Sequence, residues 1–164
     1  MNKIDLTPRV ALRNVTSFEA DYYLWCMEQA ALVRAGHFDA LDRENLAEEI
    51  ESLARSDKKE IRKRLEILLR HLLKWEFQPR KRKHGWLATI AEQRLQLADL
   101  LKESPSLRDF PVEALPRTYE LAKLKARAET SLAEKQFPVQ PPYGIDDILS
   151  EEFLPGEPWD PADD

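Results

Sequence analysis

The sequence predicts an all-α fold, an antiparallel bundle of about four helices built around one long helix at about residues 42–78. Apolar residues recur at spacings of three and four over long stretches, and no segment alternates as a half-buried strand does. Glycine occurs only four times in the 164 residues. Hydrophobic residues make up 43% and charged residues 34% of the chain, a mixture typical of helices with one buried and one solvated face.

The first helix is predicted over residues 17–36. We expect Ser17 to cap its start and Gly36 to end it. The linker that follows, "HFDALD", is short, so the second helix should fold back antiparallel. The residues expected on the inner face of the first helix are Phe18, Tyr22, Trp25, Gln29 and Leu32.

The long second helix has clear ends in the sequence. Asp42 is a natural N-cap, and Pro79 cannot continue a helix. At 100° per residue, one narrow face of this helix combines apolar and polar side chains. That face carries Leu46, Ile50, Leu53, Asp57, Arg64, Leu68, His71 and Trp75.

Two further helices and a C-terminal strap complete the predicted fold. After the turn "RKRKHG", a third helix is expected at about 85–103 and a fourth at about 111–134, with Pro116 near its first turn or at a kink. The segment "FPVQPPYG" should be extended, and "IDDILSEEF" should form a short helix. We therefore predict an N-terminal arm at 1–16, a helical bundle domain at 17–136, and a Pro-rich acidic strap and tail at 137–164.

Several stretches together resemble a known family. These are "DYYLWCMEQAALVRAGHFDALDRENLAEEIESLARSDKKEIRKRLEILLRHLLKW", "SPSL", "LPRTYELAK" and "YGIDDILSEEFLP", in that order. The sequence resembles the bacterial family of domain of unknown function 29 over roughly residues 18–155. The resemblance implies an all-helical bacterial protein and assigns no role to any residue.

Polar residues on the inner faces of the helices form one candidate site. Asp57, Arg64 and His71 recur every seven residues on the long helix. One interpretation is a satisfied hydrogen-bond network that sets helix register, and another is a solvated overhang of the long helix. The alternative is a ligand or acid–base pocket with His71 as the catalytic candidate. Because Asp57 and His71 lie about 21 Å apart along one helix, such a pocket needs other helices. The ligand-binding candidates are Glu28, Gln29, Asp57, Arg64, His71 and Gln93.

Acidic residues near the start of the long helix are a weaker candidate for a metal site. Glu48, Glu49 and Glu51 could combine with Asp21 and Glu28, and a loose Mg²⁺ site is one alternative. However, the Glu-x-x-His pairs of di-metal bundles do not occur in the sequence. The single cysteine, Cys26, cannot build a disulfide or a cysteine zinc site within one chain. We predict no metal and no cofactor.

The basic turn that follows the long helix is the candidate for nucleic-acid contact. It contains Arg80, Lys81, Arg82 and Lys83, with Trp75 and Trp86 nearby. The net charge of −5 and the acidic C-terminal segment make this the weaker hypothesis. The competing hypothesis is that acidic residues of the tail pair with this turn. Those residues are Asp146, Asp147, Glu151 and Glu152.

The remaining features favour an interaction protein over an enzyme. Neither a phosphate-binding glycine loop nor a nucleophile elbow occurs in the sequence. The start "MNKIDLTPRVALRN" does not read as a signal peptide, and no apolar run approaches the roughly 18 residues of a membrane span. We therefore expect a cytoplasmic, non-catalytic interaction or adaptor module that binds a partner protein or a second copy of itself.

Overall fold

The computed structural model describes residues 15–160, which fold into helices and connecting turns without a strand. The all-α prediction is confirmed. The predicted arm lies almost wholly outside the described residues, as do residues 161–164 of the tail. The α-helices of the described chain are α1 (Tyr22–Ala35), α2 (Arg43–Phe77), α3 (His84–Glu103), α4 (Phe110–Thr130) and α5 (Ile145–Leu149). Short 3₁₀ turns occur at Phe38–Ala40, Pro79–Lys81, Pro105–Leu107 and Glu134–Gln136.

The chain divides into two compact units, and the division falls inside α2, between Ala54 and Arg55. The first unit contains α1 and the first turns of α2. The second unit contains the rest of α2 and everything after it. The domain boundaries that we drew from composition, after residues 16 and 136, stay a prediction.

The ends of α1 show one error and one success of the sequence analysis. Asp21, rather than Ser17, caps the helix: its carboxylate accepts a hydrogen bond from the Leu24 backbone N–H at 2.9 Å. Ser17 instead lies in a turn before the helix, where its carbonyl accepts from the Ala20 N–H. Gly36 ends the helix as expected, with a φ of 75° that a residue with a side chain rarely adopts.

Side-chain contacts define the topology of the second unit. The Ser104 hydroxyl at the end of α3 donates to Asp57 at 3.2 Å, whereas Gln93, earlier in α3, accepts from Arg64, later in α2, at 3.3 Å. These two pairs make α2 and α3 antiparallel.

Helix α4 runs in the same direction as α2. Lys125 of α4 pairs with Glu66 at 2.7 Å, and Glu129, one turn later in α4, pairs with Arg70, one turn later in α2, at 2.6 Å. The three long helical segments of the second unit therefore alternate up, down, up.

The core of the second unit forms around the C-terminal half of α2. Apolar side chains there are buried on several faces, not only on the narrow face that the helical wheel indicated. The cluster comprises Ile61, Leu65, Leu68, Leu69, Leu72, Leu73, Ile90, Leu97, Phe110, Ala114, Tyr119, Ala122, Ala126, Phe137, Tyr143 and Ile148.

The N-terminal half of α2 behaves differently. Ile50 and Leu53 share the predicted inner face with Leu68 and Trp75, which are buried, yet they are 60% and 71% exposed. The interpretation of these two residues as core positions was wrong, because a periodic pattern identifies a common face without showing whether anything covers it.

The chain after α4 packs as a strap onto the second unit. Phe137, Tyr143 and Ile148 of this strap join the core. The Tyr119 hydroxyl of α4 donates to the Pro138 carbonyl at 2.7 Å, and burial raises the pKa of Tyr119 to about 12. The Tyr143 hydroxyl donates to the Glu76 carboxylate near the end of α2. The predicted extended segment and short helix are thus integral parts of the second unit.

Candidate functional site

The three polar residues that recur along α2 have separate partners. Asp57 accepts from Ser104, and Arg64 donates to Gln93, so these residues join α2 to α3 at two different levels. His71 bonds to neither of them. The structure therefore brings together one pair of the predicted ligand candidates, Arg64 with Gln93.

His71 forms a hydrogen bond within its own helix. Its Nδ1 lies 2.8 Å from the Ile67 carbonyl, which can only accept, so Nδ1 carries the proton. The ring is partly buried, and this burial lowers the pKa of His71, an effect that the charges of Lys74 and Arg70 reinforce. A neutral imidazole at pH 7 follows. The role of His71 in a ligand pocket stays a prediction.

A carboxylate of α4 lies near His71 and is held by two cations. Glu129 accepts from Lys74 at 2.7 Å and from Arg70 at 2.6 Å. Burial acts to raise the pKa of Glu129, but the Lys74 hydrogen bond and the two positive charges outweigh it and lower that pKa. These ion pairs connect α2 with α4 and give the charged residues here a structural role.

The remaining ligand candidates, Glu28 and Gln29, belong to the first unit. The Glu28 carboxylate accepts from the backbone N–H of Thr16 at 2.8 Å and from its hydroxyl at 3.2 Å. The Gln29 carbonyl oxygen accepts from the Asp42 N–H at 2.8 Å. Both residues thus hold the chain segments that flank α1.

A hydrogen-bond network at Asp42 joins the two helices of the first unit. The Asn45 side chain donates to the Asp42 carboxylate at 2.8 Å, and the Trp25 indole donates to it at 3.1 Å. The Asn45 hydrogen bond is the main reason why the pKa of Asp42 is lowered, and the Trp25 bond adds to it. Asp42 therefore caps α2, as predicted, and also anchors α1.

The first unit has a groove between α1 and the first turns of α2, with a volume of about 370 Å³. Much of its lining is apolar and open to solvent. Of residues 15–54, only Trp25, Gln29 and Leu32 are buried. The apolar lining includes Tyr22, Cys26, Val33, Leu46, Ile50 and Leu53.

The lining of this groove also includes a few polar side chains. The Tyr22 hydroxyl donates to Glu49 at 2.7 Å, and this hydrogen bond raises the pKa of Tyr22. Gln29 is only 1% exposed, and its side-chain nitrogen, Nε2, has no hydrogen-bond acceptor among residues 15–160. Arg34 also lines the groove. Gln29 was a ligand candidate from the sequence, whereas Tyr22, Leu46, Ile50 and Leu53 were predicted to lie on the inner faces of their helices.

Negative charge is concentrated in residues 15–54, the stretch of chain that contains the groove. Residues 15–54 include nine Asp or Glu and two Arg, a net charge of −7. Residues 55–160 include twenty Lys or Arg and eighteen Asp or Glu, a net charge of +2. From the sequence, five of these nine acids were considered as metal ligands: Asp21, Glu28, Glu48, Glu49 and Glu51.

The four cations of the basic turn after α2 differ in their exposure to solvent. Arg80, Lys81 and Lys83 are exposed, whereas Arg82 is only 6% exposed. Arg82 donates to backbone carbonyls, including that of Glu157 at 2.6 Å. The prediction of nucleic-acid binding therefore depends on the three exposed cations.

The tail does contact the basic turn, but not through the four acidic side chains that we proposed. Arg82 bonds to the carbonyls of Pro155 and Glu157, and the Trp159 ring packs edge-on against Trp75. The Arg82 guanidinium group is buried, and backbone carbonyls of the tail supply the hydrogen-bond acceptors that it needs there.

A second cleft, of about 430 Å³, lies in the second unit between α3 and the strap. Arg94 lines it, but this side chain donates to the carbonyls of Ile148 at 2.9 Å and Phe153 at 2.7 Å. The burial of Arg94 was not predicted from the sequence. Arg94 lies four residues after Ile90 and three before Leu97, which places it on the inner face of α3. This spacing is the signal in the sequence that could have predicted its burial.

The acidic candidates for a metal site are spread over several local contacts. Asp21 caps α1, Glu28 binds Thr16, and Glu49 binds Tyr22. Within residues 15–160, no group of three or more His, Cys, Asp or Glu is arranged to hold a metal ion. No helix in this part of the chain is long and apolar enough to cross a membrane.

A family model matches residues 17–154, and the family is described as Domain of unknown function DUF29. The chain belongs to this family. The match begins just before α1 of this DUF29 protein and ends near the end of the strap, so it draws on both units. Comparison with curated proteins and with solved structures finds no match.

Proposed function

We propose that this DUF29 protein is a non-catalytic interaction or adaptor module and that the groove of the first unit is its docking surface. The supporting observation is the exposed apolar lining of that groove. Contiguous exposed apolar surface on a folded protein is typical of a binding site. Ile50 and Leu53 are the most exposed apolar residues of the lining.

The shape of the groove favours a helical segment as the bound element. Two adjacent helices form a furrow into which a third amphipathic helix can place side chains at positions i, i+3, i+4 and i+7. Covering Ile50 and Leu53 would contribute about 1.5–3 kcal/mol for each fully buried side chain. A bound helix would thus add to the small apolar core that residues 15–54 form.

The polar candidates of the second unit offer less support for catalysis. Arg64 bonds to Gln93 of α3, Asp57 to Ser104 at the end of that helix, and His71 to its own helix. A catalytic base needs to be directed toward a substrate, together with groups that stabilise the developing charge. The interaction hypothesis requires no group that is already engaged elsewhere.

Site-specific photo-crosslinking in the native host tests this function. A photoreactive phenylalanine analogue at Leu53 should capture one protein in stoichiometric yield. The same analogue at Leu124, an exposed leucine of α4, is the matched control and should not capture it. The yield at Leu53 should fall when Ile50→Lys is added. Identical capture from both positions would contradict docking in the groove.

A further inference from the structure

We propose that the segment bound in this groove is a basic amphipathic helix, with cationic side chains on its outer face and one hydrogen-bond acceptor on its apolar face. This inference rests on the proposed function, because it names the chemistry of the partner at the same groove. Two observations carry it: the net charge of residues 15–54, and the amide nitrogen of Gln29, which has no hydrogen-bond acceptor among residues 15–160.

The charge of residues 15–54 favours a cationic partner. Residues 15–54 have a net charge of −7, and Glu49 lies in the groove lining itself. A second copy of the chain would bring the same negative charge to the interface, where like charges oppose binding. A cationic helix would instead be attracted to the groove. Arg34 also lines the groove, but its long side chain is exposed and can direct its charge into solvent.

The amide of Gln29 determines one feature of the apolar face. Its oxygen is held by the Asp42 N–H at 2.8 Å, and Nε2 is a buried donor without an acceptor among residues 15–160, on a side chain that lines the groove. A buried donor that gains an acceptor upon binding favours that complex over one that leaves it unsatisfied. Each backbone carbonyl inside a helix already accepts one hydrogen bond, so a side-chain oxygen such as that of Ser, Thr or Asn is the acceptor that we propose. That contact would also set the register of the bound helix.

Three synthetic peptides of identical apolar face test the proposal. Each has Leu at three of the positions i, i+3, i+4 and i+7 and Ser at the fourth. The outer face carries Lys in the first peptide, Gln in the second and Glu in the third. Affinity for the full chain is measured by calorimetry. Cys26, the single cysteine, lines the groove, so its rate of alkylation reports whether the groove is occupied.

We expect the Lys peptide to bind about tenfold or more tightly than the Gln peptide, and the Glu peptide to bind most weakly. The affinity of the Lys peptide should fall as salt is raised, because salt screens exposed charges. Bound peptide should slow the alkylation of Cys26. Replacing the peptide Ser by Ala should weaken binding several-fold, since Gln29 then loses its acceptor.

Matched variants locate the binding. Ile50→Lys places a cation in the groove and should weaken the Lys peptide at least about tenfold. Leu124→Lys has the same charge change at a residue of equal exposure, 60% in each case, and should leave the affinity unchanged.

The possible outcomes separate this inference from the proposed function. Equal affinity for the Lys and Gln peptides, both protecting Cys26, would leave the docking groove in place and overturn the basic partner. Failure of all three peptides to protect Cys26, or binding that Ile50→Lys does not change, would overturn the docking function itself. A dimer in sedimentation that Ile50→Lys dissociates would identify a second copy as the occupant and also overturn the basic partner.

Discussion

Two buried arginines hold the C-terminal strap of the second unit. Arg82 donates to the Trp75 carbonyl at 2.8 Å as well as to carbonyls of the strap, and Arg94 donates to Ile148 and Phe153. Burial lowers the pKa of both guanidinium groups. Arginine suits this role because its planar group presents several donors at fixed angles to several acceptors. The strap is therefore fixed to the core by backbone carbonyls rather than by its many acidic side chains.

Arg82→Met should lower the free energy of unfolding by about 2–4 kcal/mol, because it leaves buried carbonyls without donors. Arg80→Met, which removes an exposed cation from the same turn, is the control and should change that free energy by less than about 0.5 kcal/mol. Urea denaturation measures both effects. Equal loss of stability in the two variants would show that charge, rather than the carbonyl contacts, is the important property of Arg82.

His71 should make stability depend on pH near neutrality. Burial lowers the pKa of His71 in the folded chain, so the unfolded chain takes up a proton first as the pH falls below about 6.5. The protonation of His71 should therefore make the free energy of unfolding decrease from pH 7.5 to 5.5. In His71→Gln, this part of the pH dependence should disappear. His37→Gln, at an exposed position, is the control. Chemical denaturation at several pH values provides the measurement, and an unchanged slope in His71→Gln would contradict it.

At the scale of elements, local chemistry determined most helix ends. Gly36 ends α1, Asp42 caps α2, and Pro79 follows α2 closely. The one clear error was the start of α1, where Ser17 and Asp21 are both good capping residues and lie four positions apart. Capping propensity alone cannot decide between two such residues, because the choice depends on which turn the chain before the helix forms.

Gly36→Ala should destabilise the end of α1 by about 1–2 kcal/mol, because the backbone there has a φ of 75° and a Cβ is strained in that conformation. Gly85→Ala is a matched control: a Cβ at either position meets no atom within 4 Å, but Gly85 lies in the first turn of α3 without a positive φ. This control should leave the free energy of unfolding unchanged or raise it. Thermal and urea unfolding compare the two, and similar losses would contradict the strain argument.

At the scale of the whole molecule, the two units differ in their apolar cores. The second unit contains a cluster of sixteen buried residues, whereas three residues are buried in the described part of the first. Regions with few buried contacts open at lower free energy than well-packed ones. The proposed docking surface thus lies in the part of the described chain that has fewer buried residues.

Native-state hydrogen exchange should reveal this difference. Backbone amides of Tyr22–Ala35 should exchange through openings of lower free energy than amides of residues 61–75, which carry most of the buried side chains of α2. Mass spectrometry of peptic fragments resolves the two segments within one sample, so the second serves as an internal reference. Equal protection of both would mean that the chain unfolds as one cooperative unit.

The site was less predictable than the fold. Gln29 was identified from the sequence as a polar residue on an inner face, and the structure places it in the groove lining. Ile50 and Leu53 were assigned to the core for the same reason, their position on one helical face. Arg82 was included in a basic binding surface and is buried instead. In each case the residue type and spacing were read correctly, but the covering element was unknown.

The sequence by itself determined the all-α class, the helices and most of their ends, because these depend on hydrophobic period and on capping groups within a few residues. Only the tertiary structure decided which faces are covered. Burial depends on segments far apart in the chain, as when carbonyls near residue 155 satisfy Arg82 while Ile50 remains open to solvent. The exposed groove, on which the proposed function depends, follows from which faces of α1 and α2 are left uncovered, and a helical pattern alone does not show that.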